Sequence, residues 1–349
     1  MPNTCETYTD AQLCEAIIKR SYTSVGGEFV DDKVTAIRPY AFNGCTTLNK
    51  VSCPNTRMIG RYAFYGTAIA DVELGWDKIT EIGAYAFFGM SGKANPSRQA
   101  NLVLPELVSL GEYAFSNAGA NYAEDVHLVS FSAAKLEDIP EEAFRYQEFL
   151  ETVSIPNAKT IGKYAFRDCK ALSSVNFPLV TEIGEDEFLE CSGLVTVNLP
   201  ILVAVPEYAF KDCTSLADVI LTAALEIGSY AFQDCTALQS ISLPAATVLD
   251  QYAFTGCTHL KTVKLSAAQI SLASHCFDGC SALNCLILDG CTAPPSVASS
   301  DAFHNTALGS GYIYVPSSLI SRFQSDAGWS AFSSRFRACE DYPNIVNSL

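Results

Sequence analysis

His275, Cys276, Cys280, Cys285 and Cys291 make the densest run of potential metal ligands in this chain of 349 residues, which holds 14 cysteines and 4 histidines. Zinc is bound by four such ligands converging as a tetrahedron, so a metal site is the first chemistry to weigh. Cys5 and Cys14 would be able to pair in an oxidising compartment. His127, His259, His275 and His304 are the available imidazole bases, and Glu141 with Glu142 is a carboxylate pair of the kind used in acid–base work. No Gly-x-Ser-x-Gly, His-Glu-x-x-His or Walker sequence accompanies them.

Whether these side chains meet depends on the elements that carry them, and those elements repeat. A Phe, usually within Tyr-Ala-Phe, recurs at Phe42, Phe64, Phe87, Phe115, Phe144, Phe166, Phe188, Phe210, Phe232, Phe254, Phe277 and Phe303. Five consecutive intervals are 22 residues long. The unit reads I-G-x-Y-A-F-x-x-C-x-x-L-x-x-V-x-L-P, with its clearest copy at 161–178. Alternation at Val175-Asn176-Phe177 predicts a short strand with two side chains buried and one outward, and the following proline stops it. The Tyr-Ala-Phe turn and the Leu six residues after the Phe supply the opposite wall, as a short helix or single 3₁₀ turn. Neither half buries its apolar face alone, so the units must stack into a parallel ladder.

This pattern is a leucine-rich repeat, and over about residues 34 to 316 it resembles the BspA-like class of surface proteins from anaerobic and gut bacteria and some mucosal protozoa. The copies at Phe166, Phe210, Phe232 and Phe254 carry the resemblance best; Pro206 replaces the glycine, and Asp186-Glu187 replaces Tyr-Ala. The resemblance implies an α/β fold, a right-handed leucine-rich repeat solenoid of about 12 repeats with a parallel β-ladder on the concave face. It also implies a non-enzymatic role in adhesion or host interaction at a cell surface. Residues 1–33 are expected to form an N-terminal helical cap, with Asp10 capping a helix over 9–20; residues 34–316 form the solenoid and 317–349 a C-terminal helical cap. In that last segment a helix from Pro316-Ser317-Ser318 to about Gln324 is predicted, then Trp329, Phe332 and Phe336 on one helical face.

Placed on the repeat, the reactive residues disperse. Cys45, Cys169, Cys191, Cys213, Cys235, Cys257 and Cys280 all fall three residues after the repeat Phe, a column most simply read as buried free thiols. His275 stands in the Tyr position, Cys276 in the Ala position, Cys285 outward on a strand and Cys291 in the next turn, so no zinc site is expected. Gly60 with Gly66, and Gly83 with Gly89, recur at fixed places and read as turn residues, not a phosphate cradle. No catalytic residue, metal or cofactor is expected.

Binding has two candidate surfaces. Outward strand positions include Ser52, Glu73, Val103, His127, Ile220, Lys264, Ile287 and Tyr314, and the face richest in hydroxyl and amide groups is Thr152, Ser154, Ser174, Asn176, Thr196, Asn198, Ser240 and Ser242. A protein or glycan would hydrogen-bond there; the plainer alternative is that Ser and Thr simply suit an exposed strand. The long intervals of 28 and 29 residues insert Gly89–Ala100 and Ser116–Val126 on one edge, offering Lys93, Arg98 and Tyr122, although loop drift explains them equally.

The formal net charge of −16 disfavours nucleic acid and anionic membranes and suits a soluble monomer. Of the acidic residues, 20 lie in 124–250 against 7 basic ones, and mostly in turns. No secretion leader or run of 18 apolar residues is visible, so membrane insertion is not expected, whereas the resemblance implies a secreted or cell-surface site. An intracellular or phage-associated structural scaffold without a ligand pocket is the alternative.

Overall fold

The computed structural model describes residues 27–45, 48–67, 71–89, 100–117, 128–298 and 300–347. The helix expected over 9–20, Cys5, Cys14, His127 and the insert residues Lys93, Arg98 and Tyr122 lie outside the described residues. The chain divides into two compact units, residues 1–172 and 173–349.

Each coil contributes a long strand and a two-residue strand, and both stack in parallel. In the first unit Gly27–Val30, Leu48–Cys53 and Asp71–Leu74 form one ladder, and Ala100–Val103, Leu128–Ser132 and Thr152–Ser154 another. In the second, Ser174–Asn176, Thr196–Asn198 and Asp218–Ile220 form a ladder. A five-stranded one runs from Ser240–Leu243 through Thr262–Leu265, Cys285–Ile287 and Tyr312–Val315 to Phe336–Ala338. Short strands, such as the series from Ala204–Val205 to Ser296–Val297, make a second ladder. A 22-residue period pairs residue i with i+22, so equivalent side chains fall in columns: Ser174, Thr196 and Asp218 are in register, as are Asn176, Asn198 and Ile220.

The Tyr-Ala-Phe segment is not a helix but a third ladder. Tyr62, Phe64 and Gly66 donate their N–H groups to the carbonyls of Ala84, Ala86 and Phe88 (2.9, 2.7 and 3.0 Å), and Tyr230, Phe232 and Asp234 to Gln251, Ala253 and Thr255 (3.1, 2.7 and 2.9 Å). Within a coil the chain makes successive β-turns, Ala63 N–H to Gly60 and Thr67 N–H to Phe64. Their third residues have positive φ, +56° at Tyr62 and +58° at Gly66. That is the pattern of a type II turn. With a left-handed residue at every fourth position, every second N–H points to the next coil, where a helix would keep it for itself.

The two glycine positions differ in kind. Gly66 and Gly89 have positive φ and are turn residues as expected. Gly60 and Gly83 are not; a Cβ on Gly83 would lie 2.5 Å from the backbone nitrogen of Arg61 in the preceding coil. Close approach of coils selects glycine there.

The repeat Phe side chains are buried and stack face to face, with ring centroids 5.1–5.8 Å apart in the first unit and 5.0–5.7 Å in the second. Burying each contributes roughly 1.5–3 kcal/mol, and each stacked pair about 0.5–1.5 kcal/mol more. Outside them runs a column of tyrosines, exposed Tyr40 and half-buried Tyr62, Tyr85 and Tyr113 in one unit and half-buried Tyr208, Tyr230, Tyr252 and then His275 in the other, also stacked. In the turn where Asp186-Glu187 replaces Tyr-Ala, Asp186 keeps the positive φ and Glu187 is buried at the usual alanine position.

The C-terminal segment differs from expectation after its first helix. A 3₁₀ turn, Ser317–Leu319, runs into a helix over Ile320–Ser325. Trp329, Phe332 and Phe336 do not share a helix: Phe332 closes a 3₁₀ turn, Ser330–Phe332, and Phe336 opens the strand Phe336–Ala338, pairing with Tyr312–Val315. The open edge of Tyr312–Val315 supplies partners for that backbone, which overrides the helical spacing of the aromatics. A 3₁₀ turn, Cys339–Asp341, and a four-residue helix, Pro343–Val346, follow.

Candidate binding face

The outward side of the long strands follows from period-two alternation. Val175 and Val197 point into the core, and their neighbours point out. Ser174 and Asn176 are exposed and Thr196 and Asn198 half-buried, and the Asn198 Nδ2 donates to Asn176 Oδ1 at 2.7 Å. These four residues therefore lie together, beside Asp218 and exposed Ile220. Ser240 and Ser242 belong to the following ladder, in register with Thr262 and Lys264. Thr152 and Ser154 are exposed in the first unit, in register with Ser130 and Ser132. Near the start of that unit the same side turns charged: Ser52 donates to Glu73 at 2.8 Å, and Lys50 lies 3.9 Å from Glu73.

Of the outward positions, Ser52 is buried, and Ile287 and Tyr314 are covered by another part of the chain. Ile287 and Tyr314 are 0% and 4% exposed, because Val346 packs on them with Cys285 and Cys339 alongside. Lys264 Nζ donates to the Val346 carbonyl at 2.6 Å, and Tyr342 meets the Tyr314 ring edge-on at 5.4 Å. The chain's own last turn thus occupies the strand face of the final coils. Apolar Ile287 and Tyr314 at positions that alternate outward, with Ile345-Val346 near the end of the chain, were the signal for it.

The reactive residues are each engaged separately. Cys169, Cys213, Cys235, Cys257 and Cys280 are fully buried, and each thiol donates to the carbonyl of the repeat Phe one coil earlier, at 3.0–3.2 Å. Burial pushes the thiols of Cys213, Cys235 and Cys257 up from the ordinary value. Such thiols are poor nucleophiles and poor metal ligands. In the run from His275 to Cys291, Cys280 donates to the Phe254 carbonyl, Cys291 donates to the Leu288 carbonyl at 3.1 Å, and His275 stacks on Tyr252. Among the described residues no group of three or more His, Cys, Asp or Glu is placed to hold a metal ion.

His259 Nδ1 lies 2.7 Å from the Thr236 carbonyl, and His304 Nδ1 3.0 Å from Asp278. Ser274 and His275 approach to 2.7 Å, but Asp301 is 3.9 Å from His275 Nε2, beyond the hydrogen bond that orients an imidazole for a serine nucleophile. Glu142 does not act with Glu141; it is buried and pairs with Arg145 at 2.9 Å. No helix of the described residues is long and apolar enough to cross a membrane.

The chain is similar to several leucine-rich repeat proteins of solved structure. A leucine-rich repeat protein from Bacteroides ovatus is 19% identical with 88% of each chain covered and a TM-score of 0.43. The leucine-rich repeat protein of T. pallidum is 25% identical over 54% of this chain and 79% of its own, with a TM-score of 0.38. A leucine-rich cell surface protein from Faecalibacterium prausnitzii is 20% identical over 86% of both, with a TM-score of 0.39. Comparison with curated proteins finds no match. The family model of the BspA-type leucine-rich repeat region matches in six copies, over residues 28–124, 137–244 and 203–327, and the chain belongs to that family.

Proposed function

We propose that the protein is a non-enzymatic binder that holds a protein or glycan across the outward face of its long strands, in adhesion or host interaction at a cell surface. The observation that carries this reading is the register of Ser174 with Thr196 and of Asn176 with Asn198, which sets hydroxyl and amide groups in solvent-facing columns. Such groups donate and accept hydrogen bonds without the cost of desolvating a full charge. The surface role rests on the family resemblance. The acidic surplus opposes nucleic acid as a ligand.

Glycan arrays and matrix-protein panels test it, comparing wild type with the double variant Asn176→Ala, Asn198→Ala. Loss of a wild-type signal in that variant supports the face. A signal that survives the variant but is abolished by trimming residues 90–99 moves the site to the insert edge. No signal on either panel favours the structural scaffold.

A further inference from the structure

The turn that covers Ile287 and Tyr314 is held unlike the rest of the molecule. Of its residues only Val346 is buried; Tyr342 and Ile345 are 39% and 36% exposed, and Pro343, Asn344 and Asn347 face solvent. Among the described residues its contacts on the face include the Val346 side chain, packed with Cys285 and Cys339, the Tyr342 ring edge and a hydrogen bond from Lys264. Its root is tied separately, since the Glu340 carboxylate accepts the Ser317 N–H at 3.1 Å and the Ser317 hydroxyl at 3.1 Å. A turn with five of the six residues Tyr342 to Asn347 exposed can leave the face while the root stays in place.

The face beneath is arranged for an occupant. Lys264 is 12% exposed at its side chain and has Asp289 at 3.4 Å; Asp289 in turn accepts the Ser266 hydroxyl at 2.6 Å. The ammonium is therefore steadied from one side and points its remaining donors at a carbonyl lying on the strands. Ile287 and Tyr314 provide an apolar floor, and register joins Lys264 to Ser242 in the open part of the same ladder.

We infer that the face over Lys264, Ile287 and Tyr314 is a peptide-binding subsite which the chain's own Tyr342–Val346 turn fills, and which a partner peptide with an aliphatic side chain and a free backbone carbonyl takes by displacing that turn. This deepens the proposed function and rests on it for the claim that the strand face meets partners. Because the turn is tethered, it competes at high effective concentration, so binding in trans is suppressed until the turn is released.

The probe is a fluorescent synthetic peptide of residues 341–347, DYPNIVN, added to the full-length chain carrying Val346→Asp, which puts a charge where the anchor sat. Saturable binding is expected to this variant, at least tenfold weaker to wild type, and lost when Lys264→Met is added. Cys285, half-buried against Val346, reports release: its alkylation rises at least tenfold in the variant while Cys235 stays protected. A chain ending at Asp341 should behave the same way, with circular dichroism confirming its ladders. Faster Cys285 alkylation without peptide binding, or alkylation unchanged in both variants, overturns the inference. Peptide binding with blank glycan and matrix panels would instead remove the adhesion reading and leave the subsite standing.

Discussion

Cys257 donates its thiol to the carbonyl of Phe232 at 3.1 Å, and the same oxygen accepts the Cys235 backbone N–H at 3.2 Å. One donor comes from the Phe's own turn and the other from the next coil, so the cysteine column joins coils through a carbonyl the turn has already oriented.

Cys257→Ala removes that second donor and leaves a small void, and is expected to cost about 1–2 kcal/mol. Urea unfolding measures it; an unchanged midpoint would mean the thiol contact adds nothing beyond the turn.

The same burial makes the column sensitive to base. With the folded thiols of Cys213, Cys235 and Cys257 raised above 9.0, the unfolded chain loses these protons first. Their contribution is present in full below about pH 9 and is lost as pH climbs toward the folded values. The urea midpoint should hold between pH 7 and 8 and fall above 9, and replacing all three with Ala should move that onset upward.

Tyr230 sits at φ +59°, stacked between Tyr208 at 5.1 Å and Tyr252 at 4.9 Å. A left-handed non-glycine residue costs of order 1–3 kcal/mol, offset here by two stacks of about 0.5–1.5 kcal/mol each. Tyr230→Ala keeps the strain and loses the stacks, a loss of about 1–3 kcal/mol. Tyr230→Gly should be milder, the reverse of the usual order, and thermal unfolding of the pair decides it.

Much of this was legible in the sequence because it is periodic. Phe232 and Cys235 announce their columns by recurring every 22 residues, and Val175 and Val197 announce the strands by alternation. Tyr62 did not reveal the third ladder, since tyrosine is no ordinary marker of positive φ and its reason for being there is the stack with its neighbours. Phe336 misled because the 329, 332, 336 spacing suits a helix equally well, while the free strand edge that claims it lies more than twenty residues earlier. The Lys264 contact with Val346 spans 82 residues and leaves no local trace.

Hydrogen bonds from its own backbone N–H and then from Ser317 hold the Glu340 carboxyl below its ordinary 4.5. Its contribution is present above that value and is lost as pH falls through the depressed one. The protection of the Ser317 amide, taken relative to its intrinsic exchange at each pH, should fall on acidification in wild type, whereas Glu340→Gln should show little protection already at neutral pH and no such step. A wild-type amide that stays protected through the acid range would show that the root is held by other contacts.

The 22-residue register also bears on how a long ligand would sit. Moving one coil along replaces Ser174 by Thr196 and Asn176 by Asn198, chemically near-copies at the spacing of adjacent strands. A polymer laid across them would have two nearly equivalent poses, bounded by the coil that carries Asp218 and Ile220 at the same positions. Sliding by one coil between them would keep most contacts, spread the bound state over two frames, and make occupancy depend on the length of the ligand as well as on its sequence.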